Sequence, residues 1–97
     1  MIDRLTADDF AAYIGKTVLA VRHGLSLTME MLDRHELPGW EAMVRKPFSL
    51  ILSGPPDQVL PEGLHQLEIE GGPSFYLYVI PIFTPAHDHQ DYQIVFN

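Results

Sequence analysis

The sequence contains no cysteine, no lysine or arginine beyond position 46, and no long unbroken apolar run. Without cysteine, a disulfide framework, a thiolate zinc site and a cysteine nucleophile are excluded. A membrane-spanning helix needs about 18 or more consecutive apolar residues, and none occur. The opening MIDRLTADDF is acidic and lacks the apolar segment of a signal peptide, so a cytoplasmic location is expected. The missing cations matter as much. Arg4, Lys16, Arg22, Arg34, Arg45 and Lys46 carry all the Lys and Arg charge, whereas Pro47 to Asn97 holds Asp57, Glu62, Glu68, Glu70, Asp88 and Asp91. Nucleic-acid binding needs cations that displace phosphate counterions, and anionic lipid needs the same. Neither partner is expected. The formal net charge of −7 either keeps a small domain soluble or docks a basic protein.

What is present suits a folded chain. Of 97 residues, 46% are hydrophobic and 20% charged. That length predicts a single domain, residues 1–97, able to bury roughly 60–65% of its unfolded surface around one modest core.

Leu5-Thr6-Ala7-Asp8-Asp9-Phe10 reads as a helix start. Thr6 suits the N-cap, Asp8 and Asp9 suit the first turn, and Asp9 falls at the capping-box position. Leu5 and Phe10 have hydrophobic-staple spacing. Phe10, Tyr13 and Ile14 would share one apolar face, and Gly15 would end a helix of about two to three turns. The hydrophobic period then changes to two. Strands are expected over Lys16–His23, Leu25–Leu32, Pro47–Ser53, Leu64–Glu70, Ser74–Thr84 and Tyr92–Asn97. Leu25, Leu27, Met29 and Met31 would share a buried face. His23-Gly24 reads as a turn or a bulge. Phe75, Leu77 and Val79 alternate with Tyr76, Tyr78 and Ile80, which predicts a strand covered on both sides. The fold expected is mainly β: a small antiparallel barrel or sandwich of about six strands, with one short N-terminal helix over an open end.

Four segments carry a family resemblance. They are Phe48-Ser49-Leu50-Ile51-Leu52-Ser53-Gly54-Pro55, Leu60-Pro61-Glu62-Gly63, Leu77-Tyr78-Val79-Ile80-Pro81 and the closing Tyr92-Gln93-Ile94-Val95-Phe96-Asn97. With Leu5-Thr6…Phe10…Gly15, they resemble a family of short uncharacterised bacterial proteins, a domain of unknown function. The resemblance spans almost the whole chain and implies a shared fold. It also implies an accessory or assembly role beside phage tail-collar or tail-fibre-like proteins. The sequence departs from the family pattern between Asp33 and Lys46, and at His87-Asp88-His89.

Chemistry-bearing groups are sparse. Asp33, His35 and Glu36 could serve acid–base work, but Ser26, Ser49, Ser53 and Ser74 lack a Gly-x-Ser-x-Gly elbow. Gly54-Pro55-Pro56 and Gly71-Gly72-Pro73 are turns rather than phosphate loops. No catalytic residue and no cofactor site is therefore assigned. His87 and His89 could chelate a metal with Asp91, His65 or a distant acid as third ligand; the competing reading is a solvated loop. Trp40 and Met43, with Leu37 and Met31 nearby and Arg34, Arg45 and Lys46 as a basic rim, either anchor an interface or close the barrel end. Tyr76, Tyr78, Ile80 and Ile82 form a second surface if the helix leaves them open. The expected function is a non-enzymatic interaction or assembly module with a protein partner or a second copy. The alternatives are a small-ligand or metal-binding barrel using His87/His89, and an acidic inhibitor of a basic partner.

Overall fold

Six antiparallel strands close into a barrel in the computed structural model, which describes residues 5–34 and 47–96. They are β1 (Thr17–Ala20), β2 (Leu25–Arg34), β3 (Phe48–Gly54), β4 (Gly63–Ile69), β5 (Ser74–Pro81) and β6 (Gln90–Phe96). The order around the barrel is β1-β2-β3-β6-β5-β4, with β4 pairing back onto β1. Successive strands run in opposite directions between two ends. One end carries the N-terminal helix and the β4–β5 turn. The other carries the β1–β2, β3–β4 and β5–β6 connections. The seam between β5 and β6 is the narrowest, paired at Ile80↔Gln93 and Pro81↔Tyr92. No helix among the described residues is long and apolar enough to cross a membrane.

Alternation decides what fills the barrel. Val18, Leu27, Met29, Leu50, Leu52, Leu67, Val79, Tyr92 and Ile94 point inward and are buried. Val21–His23 form a single 3-10 turn, and Gly24 follows in the left-handed region at φ +58°. His23-Gly24 is therefore a turn and not a bulge. The bulge lies further on. The β2–β3 register steps from Met29↔Leu52 to Met31↔Ile51, so Glu30 is the extra residue. The step corrects the expected buried face. Met31 turns outward, and Leu32 turns in to pack on the core. Arg34 is thereby carried to the helix end of β2, where Nη2 meets Asp8 Oδ1 at 3.1 Å.

The helix is shorter than the sequence predicts. α1 spans Asp8–Ala11. Gly15, at φ +89°, donates its N–H to Met29 O at 2.7 Å, which commits the chain to β1 at once. Ala7, rather than Thr6, flanks the helix, and no side chain caps it. Asp9 reaches back instead: its Oδ2 accepts the Thr6 N–H at 2.7 Å and the Thr6 hydroxyl at 3.2 Å. Ile14, expected on the apolar face, is exposed.

The helix does close one barrel end. Phe10 is wholly buried. Its ring centroid lies 5.3 Å from Phe75, 5.3 Å from Phe96 and 6.0 Å from Phe48. Phe48 and Phe96 stack at 4.4 Å. The Tyr13 ring covers Gly72, where a Cβ would sit 2.8 Å from the ring. The opposite end is closed by Leu60, whose N–H donates to the buried Tyr92 hydroxyl at 2.8 Å. Gly54 makes room there, since a Cβ would fall 2.5 Å from Leu27 Cδ2. An apolar void of about 10 Å³ remains among Phe10, Met29, Leu50, Leu67 and Ile94. That is close to the least that admits one water molecule, so among the described residues the barrel interior is a packed core.

Candidate functional site

With the interior filled, the outer wall is what the barrel offers. Cross-strand registers place Met31 opposite Ile51, Ile51 opposite Gln93, and Gln93 opposite Ile80. This row crosses β2, β3, β6 and β5 on the outside. Beside it, Tyr78 lies opposite Leu64 and Tyr76 opposite Gln66. Leu64 is 69% exposed, Tyr76 53% and Tyr78 49%. Val95 of β6 is also exposed. The wall contains no lysine or arginine from β3 to β6, because that half of the sequence has none.

β5 is thus not covered on both faces. Its second apolar face carries tyrosines, which tolerate water at one tip and hydrophobic contact along the ring. Tyr78 Oη donates to Glu62 Oε2 at 2.7 Å, and Tyr76 Oη donates to Gln66 Oε1 at 3.3 Å. The hydrogen bond to Glu62 holds the Tyr78 phenol protonated above its usual range. Both rings are therefore tethered toward β4. Trp40 and Met43 lie outside the described residues, as do His35, Glu36, Leu37, Arg45 and Lys46.

The His87-Asp88-His89 loop is organised around His89. Its Nδ1 contacts Asp88 Oδ1 at 2.6 Å and its Nε2 contacts Asp91 Oδ1 at 3.3 Å. Both ring nitrogens are therefore taken by carboxylates. His65 is elsewhere: it points into the barrel end, with Nε2 2.6 Å from Pro61 O and its ring 5.2 Å from that of His23. Among the described residues, no three His, Asp or Glu side chains converge as metal ligands. Asp88 pulls the His89 pKa above its ordinary 6.5, and His89 pulls that of Asp88 below its ordinary 3.8. The histidine contribution is complete below pH 6.5 and fades as pH rises through the elevated value. The Asp88 contribution is complete above pH 3.8 and fades as pH falls through the depressed value. The clamp is fully formed between those ordinary values. An NMR titration of the His89 ring should give a midpoint above 6.5 that moves back toward 6.5 in Asp88→Asn; an unchanged midpoint in the variant would remove the clamp.

Glu68 and Glu70 line a shallow groove of about 290 Å³ with Thr17, Leu19 and Ile69. Glu70 Oε1 accepts the Thr17 N–H at 3.4 Å.

Phe83 is a further exposed side chain that the sequence pattern does not reveal. The apolar pattern puts it inside a strand over Ser74–Thr84, but β5 ends at Pro81 and Phe83 stands 89% exposed in the following loop. Pro81 was the available signal, because proline cannot donate into a ladder and strands commonly end there.

No curated protein and no solved structure matches this chain. Residues 5–96 match a family model described as "Domain of unknown function (DUF6916)". The match runs from Leu5, before the helix, to Phe96, the last residue of β6, and the chain belongs to that family.

Proposed function

We propose that this chain is a non-enzymatic interaction or assembly module acting through the outer wall of its barrel. One observation carries the reading: the described residues fill the barrel interior down to a void of about 10 Å³, while the Met31–Ile51–Gln93–Ile80 row and the tethered Tyr76 and Tyr78 make a charge-poor, partly aromatic surface. Aromatic residues and methionine are enriched at interface centres, and lysine and glutamate are depleted. Tethered rings lose less freedom on contact than free ones. The occupant of the wall is a protein partner or a second copy. The resemblance to short bacterial proteins found beside tail-collar-like proteins favours an assembly of that type, put together in the cytoplasm.

Size-exclusion chromatography with light scattering tests the reading, on the chain alone and mixed with the products of neighbouring genes. An oligomer or a co-eluting complex is expected. Tyr76→Thr combined with Tyr78→Thr should dissolve it. Threonine preserves β-propensity, and the lost cross-strand contacts cost only about 1 kcal/mol, so the variant should stay folded. A wild-type monomer without a partner, or an assembly indifferent to the double variant, would overturn the proposal.

A further inference from the structure

We propose that the β5–β6 loop presents Phe83 as a preformed anchor for a different protein, one offering an aromatic-ring pocket bordered by lysine or arginine. This rests on the interaction-module reading and names a second contact and its partner chemistry. A phenylalanine that is 89% exposed is uncommon on a folded surface. This one is also held in place. Its neighbour Ile82 donates its N–H to Asp91 O at 3.1 Å. The Ile82 carbonyl accepts from Thr84 Oγ1 at 3.0 Å and from Gln90 Nε2 at 2.9 Å. On the other side, Thr84 Oγ1 accepts the Asp91 N–H at 2.9 Å. Pro81 and Pro85 restrict the backbone just beyond. The residues on both sides of Phe83 are thus fixed to the start of β6, and the ring projects from an ordered base. Loops set on a rigid scaffold are where binding residues concentrate, and an anchor ordered beforehand spends less entropy on association.

Charge identifies the partner's border. Asp88 lies in the same loop and Asp91 at the start of β6, His89 can offset one of them, and residues 47–97 supply no Lys or Arg. The two hollows described in a second copy do not fit. Its interior void of about 10 Å³ cannot admit a ring. Its groove of about 290 Å³ presents Glu68 and Glu70, which would face Asp88 and Asp91 with like charge.

The test places a photoreactive p-benzoylphenylalanine at position 83, and separately at position 78, in the full chain within its native cells. Any protein cross-linked is then purified and its affinity measured by calorimetry at low and physiological salt. Capture alone does not count. Support requires a different protein, cross-linked from position 83 through a peptide containing Lys or Arg. Phe83→Ser must then weaken the affinity about 30-fold or more. Asp88→Asn should weaken it further at low salt than at high salt. Because the ring is exposed, Phe83→Ser should melt like wild type, so a loss of binding is not a loss of folding. Cross-linking to a second copy, or affinity unchanged by Phe83→Ser, would overturn the anchor. Cross-linking from position 78 but not 83 also overturns it, while leaving the outer-wall reading standing. No product from either position overturns both.

Discussion

Phe10→Ala is expected to cost about 3–5 kcal/mol of folding stability. Phe10 is wholly buried and belongs to an element of only four helical residues, so the helix cannot stand without it. Removing the ring deletes its contacts with Phe48, Phe75 and Phe96 together and opens the barrel end they share. Repair by collapse is limited, because Phe48 and Phe96 are locked by ladder pairing with each other. A domain of this size has a total stability of about 5–15 kcal/mol, so the variant approaches the unfolding threshold. Urea denaturation should show the midpoint falling sharply, and thermal melting should drop by at least ~12 °C. Ile14→Ala, on an exposed neighbouring residue, is the control and should change little. A loss below about 1 kcal/mol for Phe10→Ala would place the helix outside the cooperative core.

That dependence was legible in the sequence. The staple spacing of Leu5 and Phe10 and the change of period after Gly15 are local signals. So is the alternation of His65, Leu67 and Ile69, which all point inward. The bulge was not legible. Met31 and Leu32 are both apolar, so either continuation of the β2 pattern looked regular. The choice is made by β3, where Asp33 pairs with Ser49 and Arg34 with Phe48. The outer wall was half legible for the same reason. Tyr76 and Tyr78 stood out as a redundant apolar face, and their exposure depends on β5 lying between β4 and β6. The Met31–Ile51–Gln93–Ile80 row needs pairings between distant segments that no local pattern encodes. Phe83 was hidden by composition: a run from Phe75 to Phe83 is uniformly apolar, and only Pro81 marks where pairing stops.

The wall and the loop differ in what their loss does to the fold. Tyr76, Tyr78 and Phe83 all expose about half or more of their surface. Exposed positions of this kind contribute little to folding when they touch no special feature. The core gives no reason for large aromatics at these three positions, and the proposed contact with another molecule would supply one. The interior tyrosine is the opposite case.

Tyr92→Phe removes a single oxygen, yet a loss of about 1–3 kcal/mol is expected. The Tyr92 hydroxyl accepts the Leu60 N–H at 2.8 Å inside the barrel end. Leu60 is buried, so the variant would strand a backbone donor away from water. The bond is also a long-range tie, joining β6 to a loop 32 residues earlier in the chain. It gives physical content to the Leu60-Pro61-Glu62-Gly63 segment, one of the four that carry the family resemblance. Leu60 plugs the end, the Pro61 carbonyl meets His65 Nε2 at 2.6 Å, and Gly63 takes φ +152° as the chain enters β4. Glu62 then turns outward to hold Tyr78. The same four residues thus close the barrel and set the ring orientation on its wall. Hydrogen exchange should find the Leu60 amide exchanging much faster in Tyr92→Phe, with urea unfolding shifted to lower concentration. Tyr76→Phe, which loses an exposed bond to Gln66, should change neither. If the Leu60 amide stays as protected as in wild type, the plug is held by apolar contact alone and the tie to Tyr92 is incidental.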